Sequence, residues 1–158
     1  RDVSGVREAF GEFSTVLNRY PNSRYAQDAR ARMVYIRNML ARHEIHVANY
    51  YFKRGAYMAA LKRGQNVVET MQETTAVADG LAVMAQAYIL LEMNDLADDT
   101  IRVLCVNYPA HPNLDGDCNF DGGYVIDGLE RSWLNQVSFG LLDPPEAPQF
   151  DYRPGFES

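Results

Sequence analysis

Residues 47–72, VANYYFKRGAYMAALKRGQNVVETMQ, decide the fold of this chain. They read as the end of one helix, a tight turn at Arg54-Gly55, and a second, antiparallel helix. Ala48 and Tyr51 lie on the first arm, Gly55 and Tyr57 at the turn, and Ala60 on the second arm. Alanine at 48 and 60 lets the two helices approach closely, while Tyr51 and Tyr57 fill the gaps on either side.

Upstream, neither Gly nor Pro interrupts residues 24–54. Ala29, Met33, Ile36, Leu40, Val47 and Tyr51 stay nearly in phase, which predicts one long helix capped by Ser23, with 41–44 as the place for a kink. Before it, Ala9, Phe10, Phe13, Val16, Leu17 and Tyr20 make a helical stripe over 1–20. Asp2 or Ser4 is placed to cap that stripe, and Pro21 ends it because proline cannot continue the backbone ladder. It reads as the second helix of a repeat whose first helix lies upstream. Downstream, Thr75 is expected to cap a helix over 76–92 that buries Leu81, Met84, Ala85, Tyr88 and Leu91. Asn94-Asp95 is the expected turn, and 96–108 returns through Ile101, Leu104 and Cys105.

The spacing repeats. Ala9 to Pro21, Ala60 to Gln72 and Ala97 to Pro109 are each twelve residues, the distance from the small residue to the closing proline of a tetratricopeptide (TPR) repeat. Ala48/Tyr51 and Ala85/Tyr88 share the signature of its first helix. Gln72 stands where the proline would be, so the helix there is expected to run on slightly before Glu73-Thr74-Thr75 break it. TPR units are about 34 residues long, so the hairpin over 24–72 is stretched. The expected architecture is an all-α, TPR-like solenoid: the second helix of a truncated repeat at 1–21, a stretched hairpin at 24–72 and a last hairpin at 75–109. Each hairpin is apolar on one side and must stack on a neighbour.

After Pro109 the composition changes. Residues 111–123 are rich in Asp, Asn and Gly and read as a loop. A weak helical stripe follows at Ile126, Leu129, Trp133 and Val137, and from Asp143 the chain is Pro-rich with isolated aromatics. That tail is extended alone, or lies along a partner or back over the solenoid. Cys105 and Cys118 read either as a buried helical thiol and an incidental loop thiol, or as a disulfide tying the loop to the last repeat in an oxidising compartment.

With 158 residues, 47% of them hydrophobic, the chain can bury one core or a short stack of repeats. Its formal charge of −6 argues against nucleic-acid binding, which needs a basic face. No apolar run approaches the roughly 20 residues of a membrane span, and no signal peptide opens the sequence.

Motifs for chemistry are weak. His43-Glu44-Ile45-His46 spaces its histidines three apart, whereas a zinc-protease helix needs four, so it reads as a solvated or partner-facing surface. Asp115, Asp117, Asn119 and Asp121 alternate as calcium ligands do, but Phe120 holds the place of the turn glycine and Ile126 that of the bidentate Glu. An Asx-rich loop is the expected reading. No catalytic triad or phosphate-cradling loop is present, and neither an enzyme nor a cofactor is expected. What stands out is a basic cluster, Lys53, Arg54, Lys62 and Arg63, around the central turn of an acidic chain. It is either a solvated face or a surface that meets carboxylates on a partner.

Tyr20-Pro21-Asn22-Ser23-Arg24-Tyr25, the long helix, and Tyr50-Tyr51-Phe52-Lys53-Arg54-Gly55-Ala56-Tyr57 followed by 60–63 together resemble the BamD family, TPR lipoproteins of the outer-membrane β-barrel assembly (BAM) machinery of Gram-negative bacteria. The likeness covers about 1–109 and corresponds to the C-terminal half of the family. It implies a periplasmic, non-catalytic scaffold, held at the outer membrane by an N-terminal lipid anchor that this sequence does not contain. The expected partners are the periplasmic POTRA domains of BamA, other BAM lipoproteins and, through N-terminal repeats also not contained here, unfolded outer-membrane proteins. The family's POTRA-contacting arginine matches Arg63, with Lys62, Arg54 and Lys53 beside it. Residues 110–158 have no counterpart in the family pattern. Two other readings stand beside this one: another periplasmic TPR adaptor, coordinating the envelope or division, and a calcium- or disulfide-stabilised binding module centred on 111–158.

Overall fold

Between Pro21 and Gly55 no residue breaks a helical hydrogen-bond ladder, and the chain uses nearly all of that span. In the computed structural model, which describes residues 3–122 and 147–152, Ala26–Lys53 forms one helix of 28 residues (α2). At 1.5 Å per residue it is about 42 Å long. Ser4–Arg19 (α1) precedes it, and Tyr57–Thr70 (α3), Val77–Leu90 (α4) and Asn94–Asn107 (α5) follow. Each helix packs on the next in sequence, α2 also touches α4, and the described residues contain no strand beyond an isolated bridge from Leu114 to Phe120. The fold is all-α with TPR-like packed hairpins, as the spacing predicts. The helix expected over 124–138 lies outside the described residues.

Both hairpin turns use one device. At the end of α2, Gly55 N–H donates to Phe52 C=O (3.0 Å) and Ala56 N–H to Tyr51 C=O (3.0 Å), with Gly55 at φ +68°. This is the Schellman closure, which satisfies the last carbonyls of a helix through a left-handed residue. The end of α4 repeats it 37 residues on: Glu92 N–H reaches Ile89 C=O (3.0 Å) and Met93 N–H reaches Tyr88 C=O (2.9 Å). There the left-handed residue is Glu92, at φ 59°. The turn expected at Asn94-Asp95 therefore comes earlier, and Asn94 already opens α5.

Of the expected caps, Asp2 lies outside the described residues, and Ser4, Ser23 and Thr75 do not stand at the N-cap positions. Helices α1, α2 and α4 begin behind Val3, Tyr25 and Ala76 without a side-chain cap bond. Thr75 is taken by α2 instead: Asn38 Oδ1 accepts its N–H (2.9 Å), and Arg42 donates to its carbonyl (3.2 Å). Ser23 contributes its carbonyl to Ala26 N–H (3.0 Å), while its buried hydroxyl has no hydrogen-bond partner among the described residues. Helix α3 stops at Thr70 rather than running past Gln72, with Met71 as its C-cap.

The core centres on α4, where 12 of 14 residues are buried. The sequence predicts one buried stripe on this helix, yet it is covered nearly all round, the pattern of a helix inside a core. Helices α2, α3 and α5 pack on α4, and the loop after α5 and the 147–152 segment add Leu114, Phe120, Ala147 and Phe150 to the same cluster. The small repeat residues Ala48, Ala60, Ala85 and Ala97 are all buried, Tyr88 is buried, and Tyr51 and Tyr57 pack partly buried against the cluster. Ala9 is half-buried on α1, and Pro21 and Pro109 are exposed at the ends of their helices. Gly64 permits a close crossing: a Cβ there would lie 2.9 Å from Gly80 O on α4.

Cys105 of α5 and Cys118 of the loop form a disulfide, with Cα atoms 5.7 Å apart. Of the two readings left open by the sequence, the bridge is the one the fold adopts.

Candidate partner-docking surface

The turn between α2 and α3 sets out the basic cluster. Lys53 ends α2, where the helix dipole favours a cation. Lys53, Arg54 and Lys62 are exposed. Consecutive positions on a helix face about 100° apart, so Lys62 and Arg63 diverge. Lys62 stands at an open, largely apolar groove with Gly55, Tyr57, Met58 and Leu91. Arg63 turns toward α2.

There Arg63 Nη1 donates to Glu44 Oε2 at 2.9 Å. The Glu44 side chain is only 5% exposed, whereas that of Arg63 is 40% exposed. The bond to Glu44, then that to Tyr51, raises the Arg63 pKa further above its ordinary value, so the guanidinium stays charged. Residues 43–46 are therefore not wholly the surface that their spacing predicts: Glu44 is buried, while His46 is exposed. The place of Glu44 was legible in the spacing: 44, 48 and 51 share the helix face that meets α3.

The two arginines bracket a pair of tyrosines. Arg54 lies over the Tyr50 ring (5.2 Å), Tyr50 meets Tyr51 edge-on (6.0 Å), and Arg63 lies over Tyr51 (5.9 Å). Cations held on aromatic faces keep their guanidinium edges available for carboxylates. Half-exposed Tyr50 was not among the residues singled out from sequence.

A second charged group was missed entirely. Asp79 sits inside the core on α4, its side chain 1% exposed. Arg42 of α2 pairs with it, and His111 Nε2 is 3.3 Å from its Oδ1. Nothing in the local pattern marked Asp79, since an acidic residue in the first turn of a helix is ordinary.

In the loop, the Asp115 carboxylate accepts the N–H groups of Asp117 (2.9 Å) and Asn119 (2.8 Å) and the Asn119 amide (2.8 Å). These bonds hold its pKa below the usual value. Asp115 thus folds the loop on itself, and Asp117 and Asn119 face it with donors rather than as co-ligands. Among the described residues no three His, Cys, Asp or Glu side chains converge as a metal site.

A family model described as YfiO, outer membrane lipoprotein, matches residues 1–104. The outer membrane protein assembly factor BamD of Xylella fastidiosa (strain 9a5c) is 43% identical over 116 residues, 73% of this chain and 40% of that protein. BamD of Neisseria meningitidis serogroup B (strain MC58) is 46% identical over 114 residues, 72% of this chain and 43% of its own length. BamD of Pasteurella multocida (strain Pm70) is 40% identical over 107 residues, 68% and 41% respectively. The chain spans about two-fifths of the length of these relatives. A match over this much of the chain, on the same hairpins that carry the Ala/Tyr repeat, means that the chain belongs to the YfiO/BamD family of outer membrane lipoproteins.

Proposed function

We propose that this chain is a non-catalytic scaffold in outer-membrane β-barrel protein assembly, docking the POTRA domains of BamA through the α2–α3 turn. The observation that carries this reading is the Arg54–Tyr50–Tyr51–Arg63 array beside exposed Lys53 and Lys62. Such a surface suits acidic residues on a folded partner, with aromatic rings to bury and guanidinium groups to pair. The Cys105–Cys118 disulfide suits an oxidising compartment, which supports a place at the periplasmic face of the outer membrane. Family membership supports the assembly role, which the names of the relatives state for those proteins. The same α2–α3 surface serves the alternative of another periplasmic TPR adaptor, which differs only in its partner.

Calorimetric titration of the chain with the POTRA domains of its own organism's BamA tests the reading. Arg54→Glu and Lys62→Glu change exposed side chains and are expected to weaken binding about tenfold each, with the melting temperature unchanged. Arg63→Glu is a poor probe, because it sets a carboxylate against buried Glu44. The neutral pair Glu44→Gln with Arg63→Gln removes the charge while keeping a hydrogen-bonded contact. Binding by none of the proteins, or equal binding by all, overturns the POTRA assignment.

A further inference from the structure

The segment 147–152 is held in a way unlike the other described residues. It has no secondary structure, and its burial alternates: Pro148 and Phe150 are buried, while Gln149 and Asp151 are exposed. That period of two is the signature of an extended peptide lying on a surface. One side chain, Asn49 of α2, bonds both backbone groups of Phe150: its Nδ2 donates to the carbonyl (2.8 Å) and its Oδ1 accepts the N–H (3.1 Å). Two residues on, both oxygens of Asp79 accept the Tyr152 N–H (2.9 and 3.0 Å). The Phe150 ring fills a pocket against Phe52, 5.9 Å between centroids, and is 1% exposed. Arg42 Nη1 lies 3.4 Å from Asp151 Oδ1, at the rim. The Tyr152 ring meets His111 edge-on at 5.4 Å.

We propose that this stripe of α2, together with Asp79 of α4, is a peptide-binding site for an extended segment of another protein carrying an aromatic residue followed by an acidic one. The chain's own tail is its resident, displaceable occupant. Backbone clamping at alternate residues with one side-chain pocket is how proteins read extended peptides. Asn49 does for Phe150 what a neighbouring strand would do, so the clamp recognises main chain, the pocket selects the aromatic ring, and Arg42 selects the acid. The site is prepared before any peptide arrives, because Arg42 and His111 hold the Asp79 carboxylate in place. The groove also continues past Phe150 and Asp151, between α1 and α2, with Val3, Val6, Met39, His43 and His46 along it. Its volume of about 470 Å³ falls in the range of ligand clefts. This stripe (Arg42, Ile45, Asn49, Phe52) is separate from the one that carries Glu44 and Tyr51 toward Arg63, so the two sites can be occupied together.

A tethered occupant competes at high effective concentration, so a free peptide should bind weakly until the tail is released. The test is fluorescence anisotropy of a labelled synthetic peptide, Ala-Pro-Gln-Phe-Asp-Tyr, against the full chain and its variants. Phe150→Ala is expected to raise peptide affinity at least tenfold over the unchanged protein. Asp151→Lys, a substitution at an exposed position that turns the Arg42 contact repulsive, should do the same and covers the case in which Phe150→Ala unfolds. Adding Asn49→Ala to either variant should abolish the gain, as should replacing Phe by Ala in the peptide. No gain in either folded variant, or a gain that survives Asn49→Ala, overturns the proposal and leaves the segment as a fixed strap.

Discussion

Arg63 and Glu44 form a half-buried ion pair in which the carboxylate, not the cation, is the sheltered partner. Arg63, one of the residues proposed for docking, thus also keeps a buried charge compensated. Removing the cation alone strands Glu44. Fully buried pairs lose about 3–5 kcal/mol in this way, and the exposure of Arg63 reduces the expected cost of Arg63→Ala to about 1–2 kcal/mol. Glu44→Gln with Arg63→Gln should recover most of that loss. Urea denaturation of the three proteins checks both outcomes.

Glu92 occupies a left-handed conformation that Gly55 adopts at the equivalent turn. A side chain there costs about 1 kcal/mol relative to glycine, because Cβ crowds the following carbonyl. Glu92→Gly is therefore expected to stabilise the α4–α5 hairpin by about 0.5–1 kcal/mol. Gly55→Ala should destabilise by a similar amount. Paired thermal melts would show opposite shifts; equal shifts would contradict the common turn geometry.

At Gly64, α3 passes close to the backbone of α4. A methyl group would meet Gly80 O at 2.9 Å and the Met84 and Val83 side chains at 3.0 Å. Backbone cannot yield as a side chain can, so Gly64→Ala should cost about 1–3 kcal/mol despite the better helix propensity of alanine. Its chevron or melting curve, compared with that of the unchanged protein, decides.

The disulfide closes a short loop, with a sequence separation of 13. A loop of this size contributes about 3 kcal/mol in the chain-entropy picture. Replacing both cysteines by serine should lower the melting temperature by roughly 5–10 °C. Amide exchange should speed up first around His111 and Leu114, which pack in the core through that loop.

Asp115 organises the loop as a carboxylate. Its pKa is lowered by the Asn119 side chain first, then by the backbone N–H of Asn119, with Asp117 contributing. A depressed carboxylate contributes stability above its unfolded value and loses it as pH falls through the lower folded value. The amide resonances of Asp117 and Asn119 should therefore titrate together below the ordinary 3.8. Titration at or above that value would mean the turn is not closed by Asp115. Calcium should leave both resonances unchanged.

Much of this molecule is legible in single positions. The absence of Gly and Pro over 24–54 dictates a long helix, Gly55 dictates where it turns, and alanine at 48, 60, 85 and 97 marks the helix crossings. The helix starts were misplaced, because Ser23 and Thr75 look like caps to a local reading but are used otherwise. Thr75 bonds Asn38, 37 residues away, and no window of sequence contains both. Asn94-Asp95 looks like a turn for the same reason: the real turn rests on Glu92, a residue type with no preference for it.

The basic cluster was visible in the residues, but which of its members faces outward was not. Composition places Lys62 and Arg63 side by side; only packing of α3 on α2 sends one to the groove and the other to Glu44. The covering of α4 is a tertiary fact as well. Its all-round burial is completed by the loop stapled at Cys118 and by a segment about 70 residues downstream, whose Phe150 packs on the core. The sequence by itself determined that the chain is all-α and where its long helix turns, because these follow from local periodicity and short-range spacing, and its residue patterns carried the resemblance to the family. The buried charges, the disulfide and the seating of 147–152 were decided by the tertiary structure, because each depends on groups brought together from distant parts of the chain.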